Sequence, residues 1–378
     1  MNDNSETESP NDNTLERRDF GKVLLAGAVA GGVALTQSPQ KAQAAGNKWS
    51  ATGLKAGVSH QRPNMLTPDH LNYLKQMGVE YLEVRVPSSN SSYDEIMRIR
   101  ETVEGAGLHV FEIMLSDKYS SHEFALGTDK RDEDIAIFNR FVKDLGKAGI
   151  DTITYAWHTG GSYRTGQTTM RGCKTRLFEL EEGLKRSNPH APHEYDDEEM
   201  WANYTYFIER VLPVAEDAGV RLQLHPNDPP VTHAGVARLF RSVENYKRAM
   251  DIANNSPYSG ILFCTGSFGQ MFGPDGEGED VEAAIRHFGS MEQIYQVHYR
   301  NVSSTMPDFY ETFPDNGYQN MYKLMKALGE VNFNGVVCPD HVPEPLDSKA
   351  DKTTAEAYIF GYIRAAIQAV NTELGLDA

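Results

Sequence analysis

The 378-residue chain is poor in cysteine: Cys173, Cys264 and Cys338 are its three thiols. Three cysteines in a chain this long exclude a disulfide scaffold. One pair can form and at least one thiol stays free, as a potential metal ligand. Positive charge is also scarce. There are 36 lysines and arginines against 53 aspartates and glutamates, a formal charge of −17. That balance excludes nucleic acid and anionic membrane as main partners, but it leaves room for a locally positive cleft that takes an anionic small molecule. A long apolar run is missing as well. The mildly apolar stretch 23–35 is glycine-rich and too short for a comfortable transmembrane span. No glycine-rich dinucleotide fingerprint follows the first strand-like segment, and no low-complexity linker interrupts the chain after residue 46.

Residues 1–45 read as a targeting segment. Arg17 and Arg18 precede Phe20 and Lys22, the run 23–35 follows, and small residues at 42–44 form a cleavage pattern. The pattern resembles a bacterial twin-arginine signal. It implies a periplasmic or otherwise exported protein, carried in folded form and often with its cofactor in place. No membrane-binding segment is expected after cleavage, and the mature chain is then 46–378.

From about residue 55, strand-like and helix-like segments alternate. Eight short runs, LKAGVSH, YLEVRVP, HVFEIML, TITYAWH, RLQLHP, GILFCTG, IYQVHYRNV and GVVCPDH, are separated by segments with apolar residues at helical spacing. Ser, Thr or Asp opens several helices, and Gly78, Gly107, Gly149 and Gly219 close them shortly before the next strand. Eight repeats of this order predict an α/β fold, a (β/α)8 TIM barrel, as a single domain over 46–378. A doubly wound open sheet is the alternative. One connection is out of scale. Residues 159–197 form an extended loop that carries Arg164, Arg171, Cys173, His190 and His193, expected over the active face as a lid or wall.

In such a barrel, chemistry sits at the C-terminal ends of the strands. The fifth run ends at His225, the sixth carries Cys264, the seventh carries His298, and the eighth ends at Asp340 and His341. Two imidazoles, a thiolate and a carboxylate on four consecutive strands suit a divalent transition metal. Any one of them alone reads more simply as a structural residue. His60, Glu83, Arg85, Glu112 and His158 lie in or just after the first four runs. Glu83 and Glu112 fit two roles equally: orienting a ligand or sugar hydroxyl, or pairing with Arg85 inside the barrel.

At these residues the sequence resembles the mannonate dehydratase family, within the xylose-isomerase-like barrel superfamily. The carrying segments are PVAEDAGVRLQLHPNDPP, FCTGSFG, VHYRNV, NMYKLMKAL and PDH, and the likeness covers most of residues 55–370. It implies a (β/α)8 barrel, a metal held by His225, Cys264, His298 and Asp340, and dehydration of D-mannonate to 2-keto-3-deoxy-D-gluconate and water. Mn²⁺ is the first expectation for the ion, with Fe²⁺, Zn²⁺ or Co²⁺ as alternatives. His341, beside Asp340, is the expected acid/base. Arg164, in GSYRTG, resembles a family arginine near the substrate and is expected to pair with its carboxylate. Tyr358 is the third catalytic candidate, and Arg300 and Glu311 are expected substrate contacts with Arg164. Two departures stand out. Tyr310-Glu311 occupies the place of a family His-Glu pair, and the loop VPEPLDSKADKTTAEAY after Pro-Asp-His is unlike the family's. They keep open a metal-dependent isomerase, epimerase or lyase on another periplasmic sugar, and a non-enzymatic sugar-binding barrel. Homo-oligomerisation is open.

Overall fold

The computed structural model describes residues 53–159, 163–232, 234–273 and 276–376. The twin-arginine segment lies outside the described residues. Eight strands make the central sheet: β1 (Lys55–Gln61), β2 (Tyr81–Val86), β3 (His109–Leu115), β4 (Thr152–Ala156), β5 (Arg221–His225), β6 (Ser259–Cys264), β7 (Ile294–His298) and β8 (Val336–Cys338). Their order is β3-β2-β1-β8-β7-β6-β5-β4, and every ladder in it is parallel. The two ends of the sheet meet, and just beyond β3 the Ala156 amide donates to the Tyr119 carbonyl at 2.7 Å. The sheet therefore curls into the (β/α)8 barrel that the alternation of segments predicts.

Strands covered on both faces need apolar residues throughout rather than alternation. Accordingly TITYA in β4 and SGILFC in β6 are buried at every position. The intervening helices bury one stripe. The helix Arg131–Lys147 turns Ile135, Phe138, Phe141, Val142 and Leu145 inward and its charged residues outward. The cap signals are used as expected. Ser92, Asp196, Ser242, Asp280 and Asn320 each accept a backbone amide from the first turn of the helix they open. Gly78, Gly107, Gly149 and Gly219 all take positive φ, between 68° and 77°, where the chain leaves a helix and re-enters the sheet.

Two features differ from the sequence expectation. Within the expected loop 159–197, the described residues from 163 on are not an open loop. Gly166–Met170 and Cys173–Glu179 form an antiparallel hairpin, with Arg171 at φ 51° and Gly172 at φ 72° in its two-residue turn. Both central residues of such a turn need positive φ. The strand Cys173–Glu179 also pairs with Asp308–Thr312, from the connection after β7, and with Glu344–Pro345, from the connection after β8. Asn301–Val302 completes this second, antiparallel sheet. Three connections are thus stitched into one wall beyond the C-terminal ends of the barrel strands. The second feature is a short, wholly buried helix, Thr265–Gln270, directly after β6. It places TGSFG beneath the wall, where an extended strand end is expected. All three cysteines are free. No helix among the described residues is long and apolar enough to cross a membrane.

Candidate active site

The last residue of β5, the last residue of β6 and the last residue of β7 are His225, Cys264 and His298. Adjacent parallel strands put equivalent positions side by side, and Cys264 is in register with His298. One donor atom from each of the three lies within 4.8 Å of the others. Asp340, two residues beyond β8, brings Oδ2 to 4.0 Å from the Cys264 sulfur and 3.7 Å from His298 Nδ1. The ring nitrogens are already sorted. His225 Nδ1 donates to the Pro226 carbonyl at 2.7 Å, which leaves Nε2 as its lone-pair nitrogen. His298 Nε2 sits 3.3 Å from the Ser59 hydroxyl, while its Nδ1 is buried with no hydrogen-bond partner. A histidine with one nitrogen tied back and the other orphaned toward a thiol and a carboxylate is how protein ligands face a metal. The donors lie close enough to serve one divalent ion at bonds of about 2.0–2.3 Å. Burial pushes the His225 pKa down, which keeps its imidazole neutral and able to ligate. Burial alone would raise the Asp340 carboxyl, but His341, His298 and Arg300 outweigh it and hold the group well below the usual carboxylate range.

Behind these residues lies a buried charge network. Arg164 Nη2 lies 2.8 Å from Asp228 and its Nε donates to Glu311 at 2.9 Å. Arg300 Nη1 donates to Asp228 at 2.9 Å and stands 3.3 Å from Asp340 and 3.6 Å from the Cys264 sulfur. Its Nε lies 2.9 Å from Glu311. His341 Nδ1 is 2.9 Å from Glu311 Oε1. Burial would raise Glu311, yet Arg300 and Arg164 hold it at about 2. The anions are therefore ionised and the arginines spoken for.

The cleft over the donors has a volume of about 590 Å³, and its lining includes His60, Arg85, Tyr119, Arg176, Asp340 and His341. A larger cavity of about 760 Å³ lies at the opposite end of the barrel, around Arg221, Tyr295 and Asn332, away from the donor cluster. His341 faces the cleft as expected, with φ at 47°. His60 faces it too, with φ at 64° where the β1–β2 register shifts after Val58. Such strained, non-glycine backbone collects at functional sites.

The expected substrate contacts come out differently. The side chains of Arg164, Arg300 and Glu311 are only 4%, 0% and 0% exposed. They gather at the site but sit behind the cleft wall, paired with one another. Tyr358 is not brought to the site. It is 43% exposed on the helix Lys352–Glu373, packed edge-on against Phe313 and beside Arg171. The same helix turns Lys352, Glu356 and Phe360 to the cleft, and Tyr358 lies on a different face of it. Glu83 takes the interior ion-pair role, 2.6 Å from Arg85. Glu112 is buried below it, accepting from Gln223, and burial together with Glu83 pushes it up to about 8. Sequence reasoning missed Asp228, Tyr119 and Arg176. The last had a signal: Arg171-Gly172 between two alternating runs is a hairpin turn, and that hairpin carries Arg176.

A family model described as D-mannonate dehydratase (UxuA) matches residues 70–183 and 169–371. Mannonate dehydratase from Thermotoga maritima is 31% identical over 314 residues, covering 71% of this chain and 84% of that protein. The crystal structure of mannonate dehydratase from Streptococcus suis serotype 2 superposes with a TM-score of 0.74 at 23% identity, over 85% of this chain and 96% of that one. The barrel is also shared, at a TM-score of 0.57 and 14% identity, with 3-keto-D-glucoside 4-epimerase from E. coli, over 82% of this chain and 99% of that one. By the span of the family model and the identity to its curated relatives, the chain belongs to the D-mannonate dehydratase family of hydro-lyases.

Proposed function

We propose that the chain is a divalent-metal-dependent dehydratase that converts D-mannonate to 2-keto-3-deoxy-D-gluconate and water, and that it works in the periplasm after export by the twin-arginine route. The convergence of His225, Cys264 and His298 beside Asp340 at the mouth of the barrel carries this reading. Those four residues would hold the ion, Mn²⁺ in the first instance. When bound, such an ion supplies Lewis-acid polarisation of the substrate's carboxylate and neighbouring hydroxyl.

The reaction takes the proton from C2, breaks the C3–O bond and releases water, leaving an enol that becomes the 2-keto acid. Proton transfer falls to His341. Glu311 accepts from its Nδ1, which orients the ring and leaves Nε2 for exchange with substrate. Glu311 in turn is held ionised by Arg164 and Arg300, so the pair positions His341 rather than touching substrate. The wall formed by Cys173–Glu179 and its partners narrows access of water to the cleft.

The test is direct. Purified protein loaded with Mn²⁺ and incubated with D-mannonate should yield the 2-keto-3-deoxy acid. Its His341→Asn variant should retain metal and lose at least about 100-fold in kcat, within the usual span for general acid–base residues. A metal-loaded wild-type sample that forms no product from D-mannonate would remove the substrate assignment.

A further inference from the structure

Three permanent cations line the cleft: Arg85, Arg176 and Lys352. Two are committed. Arg85 donates to Glu83 at 2.6 Å, and Lys352 lies 3.8 Å from Glu356. Arg176 differs. Among the described residues no carboxylate lies within ion-pair distance of its guanidinium, although it is half-buried. The nearby acids that would attract it, Asp228, Glu311 and Asp340, are already engaged by Arg164 and Arg300. Burial and the Arg164 charge both push the Arg176 pKa down, the mark of a cation short of counter-charge. Among the described residues of this acidic protein, the half-buried Arg176 guanidinium thus lines the cleft beside a metal-type donor cluster with no carboxylate paired to it.

Its placement is also rigid. Arg176 belongs to Cys173–Glu179, which pairs with Gly166–Met170, Asp308–Thr312 and Glu344–Pro345. Arg164 cannot do the same work. Its Nε and Nη2 serve Glu311 and Asp228, and its Nη1 donates to the Tyr163 carbonyl at 2.7 Å.

We propose that Arg176 binds the carboxylate of the sugar acid and thereby selects aldonates over neutral sugars. This rests on the cleft being a sugar-acid site. A planar guanidinium on a fixed strand suits a carboxylate, which it can grip with two parallel hydrogen bonds. A neutral alditol offers that cation single hydroxyl hydrogen bonds and no counter-charge, so its loss costs a neutral sugar little.

The test uses Mn²⁺-loaded full-length protein and a 3-deoxyaldonate, which lacks the leaving hydroxyl and cannot turn over. Calorimetric titration should show Arg176→Gln weakening the acid about 10- to 100-fold, the usual worth of a charge-assisted pair. Arg176→Lys should fall between, and affinity for the matching neutral 3-deoxyalditol should not change. Metal content should match wild type in both variants, which separates a lost contact from a collapsed site. Unchanged affinity for the acid in a metal-replete Arg176→Gln protein would overturn the inference while leaving the dehydratase reading intact. A wild-type protein that neither binds the acid nor dehydrates D-mannonate would overturn both.

Discussion

The donor residues and the charges behind them do separate jobs, and substitutions should separate them. Replacing Cys264 by Ser removes a soft ligand and leaves a hydroxyl that a divalent ion binds poorly in this setting. Bound metal measured by mass spectrometry should drop well below one ion per chain, and activity should fall more than about 100-fold. Glu311→Gln should behave in the opposite way. It leaves Arg164 and Arg300 buried without their shared carboxylate, a loss of about 3–5 kcal/mol for a broken buried pair, visible in the denaturant midpoint. Its pH dependence has a defined sign. The folded pKa of Glu311, about 2, lies below its ordinary value of 4.5. Its stabilising contribution is therefore complete above about pH 4.5 and is lost as pH falls toward 2. Acid unfolding of the Gln variant should be shallower across that window. The candidate ligands were legible in the sequence because His225, Cys264 and His298 each end a barrel strand and Asp340 lies two residues past another, and the topology brings strand ends together whatever lies between them. The roles of Arg164 and Arg300 were not. Whether an arginine faces a ligand or a buried carboxylate depends on partners scores of residues away, such as Asp228 for Arg300.

At the scale of the element, the short helix Thr265–Gln270 matters out of proportion to its length. A Cβ on Gly266 would come within 2.3 Å of Arg300 Nε. Gly266→Ala should therefore push the guanidinium off Glu311, costing about 1–3 kcal/mol as an overpacked core site, with a matching drop in thermal midpoint. The order of strands and helices was readable, since burial on both faces demands apolar runs and side-chain caps mark several of the helix starts. The hairpin Gly166–Glu179 announces itself only at its Arg171-Gly172 turn, for a physical reason. Its strands are half-exposed and polar, as in GQTTM, and it is held by edges contributed from residues 308–312 and 344–345 that no local pattern announces.

For the whole molecule, metal and fold should be linked. An ion that binds only the folded barrel adds about 2.7 kcal/mol at a hundredfold excess over its Kd. Chelation should lower the Tm, and Mn²⁺ should restore it, read by scanning calorimetry on wild type but not on Cys264→Ser. Export is tested on the full chain. Lysines in place of Arg17 and Arg18 should leave the protein in the cytoplasm on cell fractionation, whereas wild type should reach the periplasm. The wall over the cleft has one more consequence. Its strands come from three separate connections, yet every ladder that joins one connection to another runs through the central strand Cys173–Glu179. Loops that would each fray independently are instead coupled into one cooperative unit. In hydrogen exchange, the amides of Leu177, Phe309 and Tyr310, from two of those connections, should open together, at a single free energy, rather than as unrelated surface segments.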